Sequence, residues 1–257
     1  MELGEIAAGR PRTELLYLRE MNLRRGQSKI LAAVPEKRTH VYLVLDRTIF
    51  HPKGGGQPSD RGRIYSPSYD VTMKKASYYK GVVIHWGKLT RGNAIDGEAT
   101  CELDWEYRWM VMRRHTAAHL LDHCLGQATG MRVQTTESWL DQPCYVAYTG
   151  RAPSTELLRR TERLANELIR KGARVTIDFL TRDQAEISLK NAPNYERLPD
   201  VTEIRTVTIE GCNPIPCGGT HVGNIAAIRE LTISGAEQLP TAAYRLHFAV
   251  SATASFA

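Results

Sequence analysis

The sequence predicts an α+β protein made of two successive parts. Three observations carry this. Up to about Asp104 the chain shows only short runs of alternating apolar and polar residues, punctuated by glycine, proline and asparagine. Beyond Asp104, long helical patterns appear between further strand-like runs. These helices and strands do not alternate regularly, so helices packed on an antiparallel sheet are expected rather than a parallel βαβ sheet. The expected parts are residues 1–104 and 105–257, with no flexible linker between them.

In the first part, the opening dozen residues are expected to be loosely held. Alternating runs follow at 29–34, 40–45, 71–75, 82–86 and 97–103. Short strands at this spacing, with no convincing helix among them, indicate an antiparallel barrel or a compact sandwich. Gly54-Gly55-Gly56-Gln57, followed by Pro58 and Gly62, has turn chemistry. It is not a phosphate-binding P-loop, because no Gly-Lys-Ser/Thr follows.

Asp104 then caps a helix running to about Thr129 and stopped by Gly130. Strands are expected near 133–148. Ser154 opens a second helix, closed by Gly172, whose Leu157, Leu164 and Leu168 read as the buried stripe. Arg159, Arg160, Arg163 and Arg170 form its solvated face. A strand at 174–180 leads to Thr181-Arg182-Asp183-Gln184, which has capping-box spacing. Runs at 201–209, 225–233 and 244–250 complete the expected strands.

Composition narrows the functional classes. At 257 residues, 42% hydrophobic and 24% charged, the chain is an ordinary globular one. No apolar run approaches the ~18 residues of a membrane span, and the N-terminal stretch has no apolar signal core. Five cysteines without framework spacing favour a reducing compartment and a metal or thiol role over disulfides. A cytoplasmic protein without a membrane partner is therefore expected. The net charge of +6 suits a polyanionic partner only mildly.

Two distant stretches carry metal-ligand spacing. His115 and His119 lie four apart on the expected helix, on one face and one turn apart. Cys217 and His221 lie four apart around Gly218-Gly219, a pair that lets a ligand loop turn sharply. Imidazoles and a thiolate form a zinc set. With 8 His and 5 Cys in 257 residues, both spacings together arise by chance roughly 0.04 times. His123 lies eight residues from His115, about 12 Å along a straight helix, so it is expected to be a neighbour and not a ligand. Cys212 has no obvious place in the set, and Cys124 reads as core.

These motifs carry a family resemblance. HTAAHLL and PCGGTHV, in this order and far apart, resemble the editing domain of alanyl-tRNA synthetase and the free-standing AlaX proteins that edit mischarged alanyl-tRNA in trans. The stretch from Arg47 to Gly62 looks like the glycine-rich segment of the medium-length AlaX form, although His51 stands where a tyrosine is usual. The resemblance covers roughly residues 13–250. It implies a small N-terminal β-barrel followed by an α/β two-layer, zinc-containing editing domain. It also implies Zn²⁺ as cofactor, held by His115, His119, Cys217 and His221, and mischarged alanine tRNA as partner. The implied substrate-facing residues are Thr136 first, then Thr135 and Gln134, with Gly55, Gly56 and Gln57 of the glycine-rich loop. The implied reaction is zinc-assisted ester hydrolysis, on seryl-tRNA first and glycyl-tRNA second. Zinc brings the pKa of a bound water towards ~7, and the amides of Gly218 and Gly219 suit a developing oxyanion. The rival expectations are an RNA-binding module with a structural zinc, and editing of another tRNA such as threonine tRNA.

Overall fold

The computed structural model describes residues 2–37, 39–93, 95–198 and 200–252. The outer ends of the two expected parts, residues 1 and 257, lie outside these. The chain divides into two compact units: Met1–Gly54 with Pro58–Trp109, and Gly55–Gln57 with Met110–Ala257. The architecture is α+β.

Unit 1 contains α1 (Leu3–Ala7), β1 (Glu14–Leu15), β2 (Arg25–Lys37), β3 (His40–Leu45), β4 (Arg47–Thr48), β5 (Gly62–Tyr65), β6 (Asp70–Tyr79), β7 (Val82–Arg91) and β8 (Glu98–Leu103). Six of these strands close into a barrel in the order β2-β3-β7-β6-β5-β8. The long β2 makes closure possible. Its first half pairs with β8, as in Gly26↔Cys101, and its second half pairs with β3, as in Ala33↔Leu43. Closure leaves no barrel edge open to another chain. Alternate residues Val41, Leu43, Leu45, Val71, Met73, Cys101 and Leu103 form the core. Where the residues alone left barrel or sandwich open, the structure has the barrel.

Two expectations fail in this unit. The opening residues are not loose: α1 buries Ile6 and Ala7 in a cluster with Val44, Val82 and Ile84. At five residues it is too short to show a helical period. The four-residue β5 escaped notice for the same reason.

The Arg108–Asp60 pair and His85 are buried polar groups of unit 1 with close partners. Arg108 and Asp60 are 0% and 1% exposed. They form a two-point ion pair, with Arg108 Nε donating to Asp60 Oδ1 at 2.7 Å and Nη2 donating to Oδ2. Arg108 also donates to the carbonyls of Ile49 and Met21, and the His51 amide donates to Asp60. His85 is held between the Thr48 hydroxyl at 2.8 Å and the Leu43 carbonyl at 3.3 Å. Burial pushes its pKa down to about 4, partly opposed by the Leu43 carbonyl.

Unit 2 is built on α2 (Trp105–Thr129), whose first turn groups with unit 1. Asp104 caps it by accepting from the Tyr107 amide at 3.2 Å, and Gly130 ends it at φ 69°. Next come β9 (Thr135–Trp139), β10 (Tyr145–Thr149), α3 (Thr155–Lys171), β11 (Val175–Thr181), α4 (Arg182–Ser188), β12 (Glu203–Ile209), β13 (Ile215–Pro216), β14 (Leu231–Gln238) and β15 (Ala243–Val250). One sheet runs β14-β15-β10-β9 and a smaller one β11-β12-β13. The main core draws Ala117 and Leu121 from α2, Leu158 and Ala165 from α3, and Val146, Leu246 and Phe248 from the larger sheet, and a smaller cluster forms around Ala185, Leu189 and Ile204.

Ser154 caps α3 and the Thr181–Gln184 capping box opens α4, as expected. The buried line of α3 is displaced by one residue, to Leu158, Thr161, Ala165 and Ile169. Leu164 and Leu168 flank it, packed against the same core. The expected strand at 225–233 is also revised. Ile225–Ile228 is a 3-10 turn capped by the Asn224 side chain, and the strand starts at Leu231. Arg113 explains the turn, because it donates to the carbonyls of Ala227 and Ile228 and removes them from any ladder. Among the described residues, no helix is long and apolar enough to cross a membrane.

Candidate metal centre

Folding brings the two ligand stretches together. One nitrogen from each of His115, His119 and His221 and the Cys217 sulfur all lie within 4.8 Å of one another. Cys217 Sγ is 3.4 Å from His115 Nε2 and 3.3 Å from His221 Nε2. The helical spacing of four stacks His115 over His119, ring centroids 5.0 Å apart. The loop supplies the other pair, with the His115 and His221 rings 4.3 Å apart. The two loop glycines differ. A Cβ on Gly219 would lie 2.1 Å from the His115 ring, so only glycine allows this approach; Gly218 faces open space. The Gly219 amide donates to the Cys217 sulfur at 3.4 Å.

Each imidazole is oriented from its outer nitrogen. For His221 the network leaves one choice. Thr116 gives its only hydroxyl proton to the Met112 carbonyl at 3.0 Å. It must therefore accept from His221 Nδ1–H at 3.2 Å, which leaves His221 Nε2 as a lone-pair donor facing Cys217. His115 Nδ1 meets Gln57 Oε1 at 2.9 Å. His119 Nδ1 faces Asp122 Oδ2 at 3.7 Å, and Asp122 in turn accepts from the Tyr148 hydroxyl at 2.8 Å. Outer partners of this kind are what metal-bound histidines use to fix tautomer and aim.

The electrostatics agree. Burial alone would raise the Cys217 thiol, but the neighbouring His115 and His221 outweigh it and hold it well below its ordinary value. Burial, with His115 beside it, pushes His221 down to about 3. Burial opposes protonation of His119 too, yet Asp122 and the Cys217 sulfur hold its pKa up at about 9. His119 Nε2 is buried without a hydrogen-bond partner among the described residues. An orphaned imidazole nitrogen and the His221 Nε2 lone pair beside the Cys217 sulfur and a third imidazole are the donor set of a soft-to-borderline divalent cation. The residues present fit a metal ion.

His115 and His221 are buried, while His119 and Cys217 are partly exposed. On the His119 side lies a cavity of about 480 Å³, walled by Asp122, Met131, Val207 and Ile209 among others. His123 and Cys212 line this cavity and stand outside the ligand group.

The remaining expected site residues divide. Gln57 reaches the cluster, and Gly55 and Gly56 are tied to β9 and the residue after it. Ser138 donates to the Gly55 carbonyl, and the Leu140 amide to that of Gly56. Thr135 and Thr136 are held from outside by Arg197, which donates to the Thr135 hydroxyl and the Thr136 carbonyl. Gln134 and Thr136 are exposed, and Gln134, Thr135 and Thr136 are not among the cavity's lining residues. Sequence reasoning missed Thr116, Asp122, Tyr148 and Thr220. Asp122 had a usable signal: a carboxylate three residues after a helical ligand shares its face.

Comparison with known proteins adds independent findings. A family profile described as tRNA synthetases class II (A) matches residues 19–107. The chain is similar to "Alanyl-tRNA editing protein AlaX-M" of Methanosarcina mazei, 28% identical over 95% of this chain and 98% of that protein. It is 32% identical to "Alanyl-tRNA editing protein AlaX-L" of Pyrococcus horikoshii over 81% of this chain and 51% of that one. It is 31% identical to the alanine–tRNA ligase of Methanococcus vannielii over 93% of this chain. There it spans 26% of the ligase's length.

Proposed function

Because the chain is of the AlaX type, we propose that it hydrolyses the ester linking a wrong amino acid to alanine tRNA, acting in trans with zinc as its cofactor. The observation that carries this reading is the convergence of His115, His119, Cys217 and His221 beside a cavity, in a chain that aligns end to end with an alanyl-tRNA editing protein. Zinc, when bound, supplies water activation near neutral pH and Lewis-acid polarisation of an ester carbonyl.

The chain's own residues supply the rest. Thr116 accepts from the outer nitrogen of His221 and Asp122 faces that of His119, so the inner nitrogens of both would be free to hold the ion. The partly exposed edge at His119 and Cys217, with the cavity beside it, is where an ester can enter. The Gly219 amide is engaged by the Cys217 sulfur, so Gly218 is the better-placed oxyanion donor of the pair.

Selectivity is assigned, on the family resemblance alone, to polar groups at the start of β9 and just before it. One methylene in an apolar pocket is worth only ~1–3 kcal/mol, so charging errors among small amino acids need a second sieve. A site that bonds the serine hydroxyl rejects alanine by ~10⁴ or more, because alanine leaves those groups unpaired. Thr136, then Thr135 and Gln134, are the residues for this role, which makes seryl-tRNA the first substrate. Glycyl-tRNA, the second, requires a wall that excludes the alanine methyl, a role this reading gives to the glycine-rich loop at Gly55 and Gly56.

The test is deacylation of seryl-, glycyl- and correctly charged alanyl-tRNA, with metal analysis of the same samples. Hydrolysis of the first two with alanyl-tRNA spared, lost on chelation and restored by zinc, is the expected result. A chain that binds zinc and RNA yet hydrolyses none of these esters would instead be a binding module with a structural zinc.

A further inference from the structure

Gln57 lies in the glycine-rich segment, 58 residues before His115, yet it is fully buried and its amide is committed at both ends. The orientation of that amide follows from its partners. The Thr220 backbone N–H can only donate, and the Gln57 atom 3.0 Å from it is therefore the oxygen, Oε1. The other end, Nε2, donates to the Thr220 hydroxyl at 3.0 Å. The same Oε1 lies 2.9 Å from His115 Nδ1. Two acceptors cannot face each other at that distance, so His115 Nδ1 carries the proton. His115 Nε2 then presents its lone pair towards Cys217 Sγ and the centre of the cluster. Gly219 makes the arrangement possible, since a Cβ there would lie 2.8 Å from Gln57 Oε1 as well as against the ring.

We propose that Gln57 is a positioning residue of the metal centre: anchored by Thr220, it selects the tautomer of His115 and aims its Nε2 at the ion. The glycine-rich segment is thereby part of the metal-binding apparatus, and Gln57 does not read the substrate. This rests on His115, His119, Cys217 and His221 being a ligand set, but not on which ester, or whether any ester, is hydrolysed.

The experiment uses the full chain and zinc alone. Zinc affinity is measured by competition with a chromophoric chelator for wild type, Gln57→Leu and Gln57→Glu, alongside the absorption spectrum of the cobalt-substituted proteins. Gln57→Leu keeps the bulk and removes the acceptor, so its affinity should fall about 10–100-fold with a changed cobalt spectrum. Gln57→Glu can accept from both His115 and Thr220, so it should stay within about threefold of wild type. A general packing role would not separate these two variants in this order. Nitrogen-15 spectra of the zinc-loaded wild type need no variant to fold: His115 should show a protonated Nδ1 and a ligating Nε2. Wild-type affinity in Gln57→Leu, equal losses in both variants, or ligation through His115 Nδ1 would each overturn the proposal. Loss of deacylation with the affinity order intact would count against the proposed reaction and leave this role of Gln57 standing.

Discussion

The two units each bury a polar centre, and the two centres are finished differently. In unit 1, Asp60 and Arg108 neutralise each other, and spare valences go to the backbone at Met21, Ile49 and His51. Nothing further is asked for. In unit 2, one nitrogen from each of three imidazoles and one sulfur lie within 4.8 Å, the outer nitrogens facing partners, while among the described residues His119 Nε2 has none. A buried pair that closes on itself is architecture. A cluster whose outer nitrogens face partners and whose inner nitrogens converge on one sulfur has the donor set for a metal ion.

The sharpest way to break this contrast is to remove one member of each centre. Cys217→Ala takes the thiol from the cluster in unit 2. Under the proposed function, metal content by elemental analysis should fall below stoichiometric, and seryl-tRNA deacylation should drop by about 10³-fold or more. The chemical denaturation midpoint of the metal-free protein should hardly move, because no closed network is lost. A collapse of the metal-free fold would show the cluster to be architecture too. Asp60→Asn does the reverse. It strands the Arg108 guanidinium in the core, and breaking a buried pair this way costs about 3–5 kcal/mol. Urea unfolding should show that loss with zinc stoichiometry unchanged.

His85 extends the contrast to pH. It is buried and neutral in the barrel, with its pKa pushed down to about 4 from an ordinary 6.5. The unfolded chain therefore takes up a proton between those values while the folded one does not. The contribution of His85 to stability is fully present above pH 6.5 and is lost as pH falls through that window towards 4. From pH 7 to pH 5 the loss is about 2 kcal/mol. Urea titrations at both pH values should show it, and His85→Gln should flatten the dependence. An equal slope in the variant would assign the acid sensitivity to other groups.

How much of this was legible in the sequence follows from where each signal lives. Period-two alternation is local, so β3 appears with its exact ends, His40–Leu45. Caps are local as well, so Ser154 and Thr181 announced α3 and α4. Elements of four or five residues, such as α1 and β5, have too few positions to show a period. The turn at Ile225–Ile228 was missed because its cause, Arg113, lies more than a hundred residues away. The four cluster residues declared themselves by spacing, but their outer partners did not. Thr116, Thr220 and Tyr148 are ordinary residues whose role exists only once the chain has folded. The two glycines of the loop look alike on paper, and only the approach of the His115 ring makes Gly219 indispensable.

The smallest effect separates the centres most finely. Tyr148 is 1% exposed, packs in the core of unit 2, and donates to Asp122 Oδ1 at 2.8 Å. Burial, with the Asp122 charge beside it, pushes its own ionisation well above the ordinary tyrosine value, so it remains a donor at any working pH. Tyr148→Phe fills the same space and removes only that bond. Asp122 keeps His119, so no charge is stranded as it is in Asp60→Asn. The cost to stability should be about 1.5–3 kcal/mol, the range for a hydrogen bond to a charged group and below that of the broken pair. Zinc affinity should fall by less than the roughly tenfold loss that starts where an outer partner is removed outright. If Tyr148→Phe instead weakened zinc as much as Asp122→Asn, the hydroxyl would be setting the position of the carboxylate, and the candidate centre would extend one residue further into the core than the four cluster residues suggest.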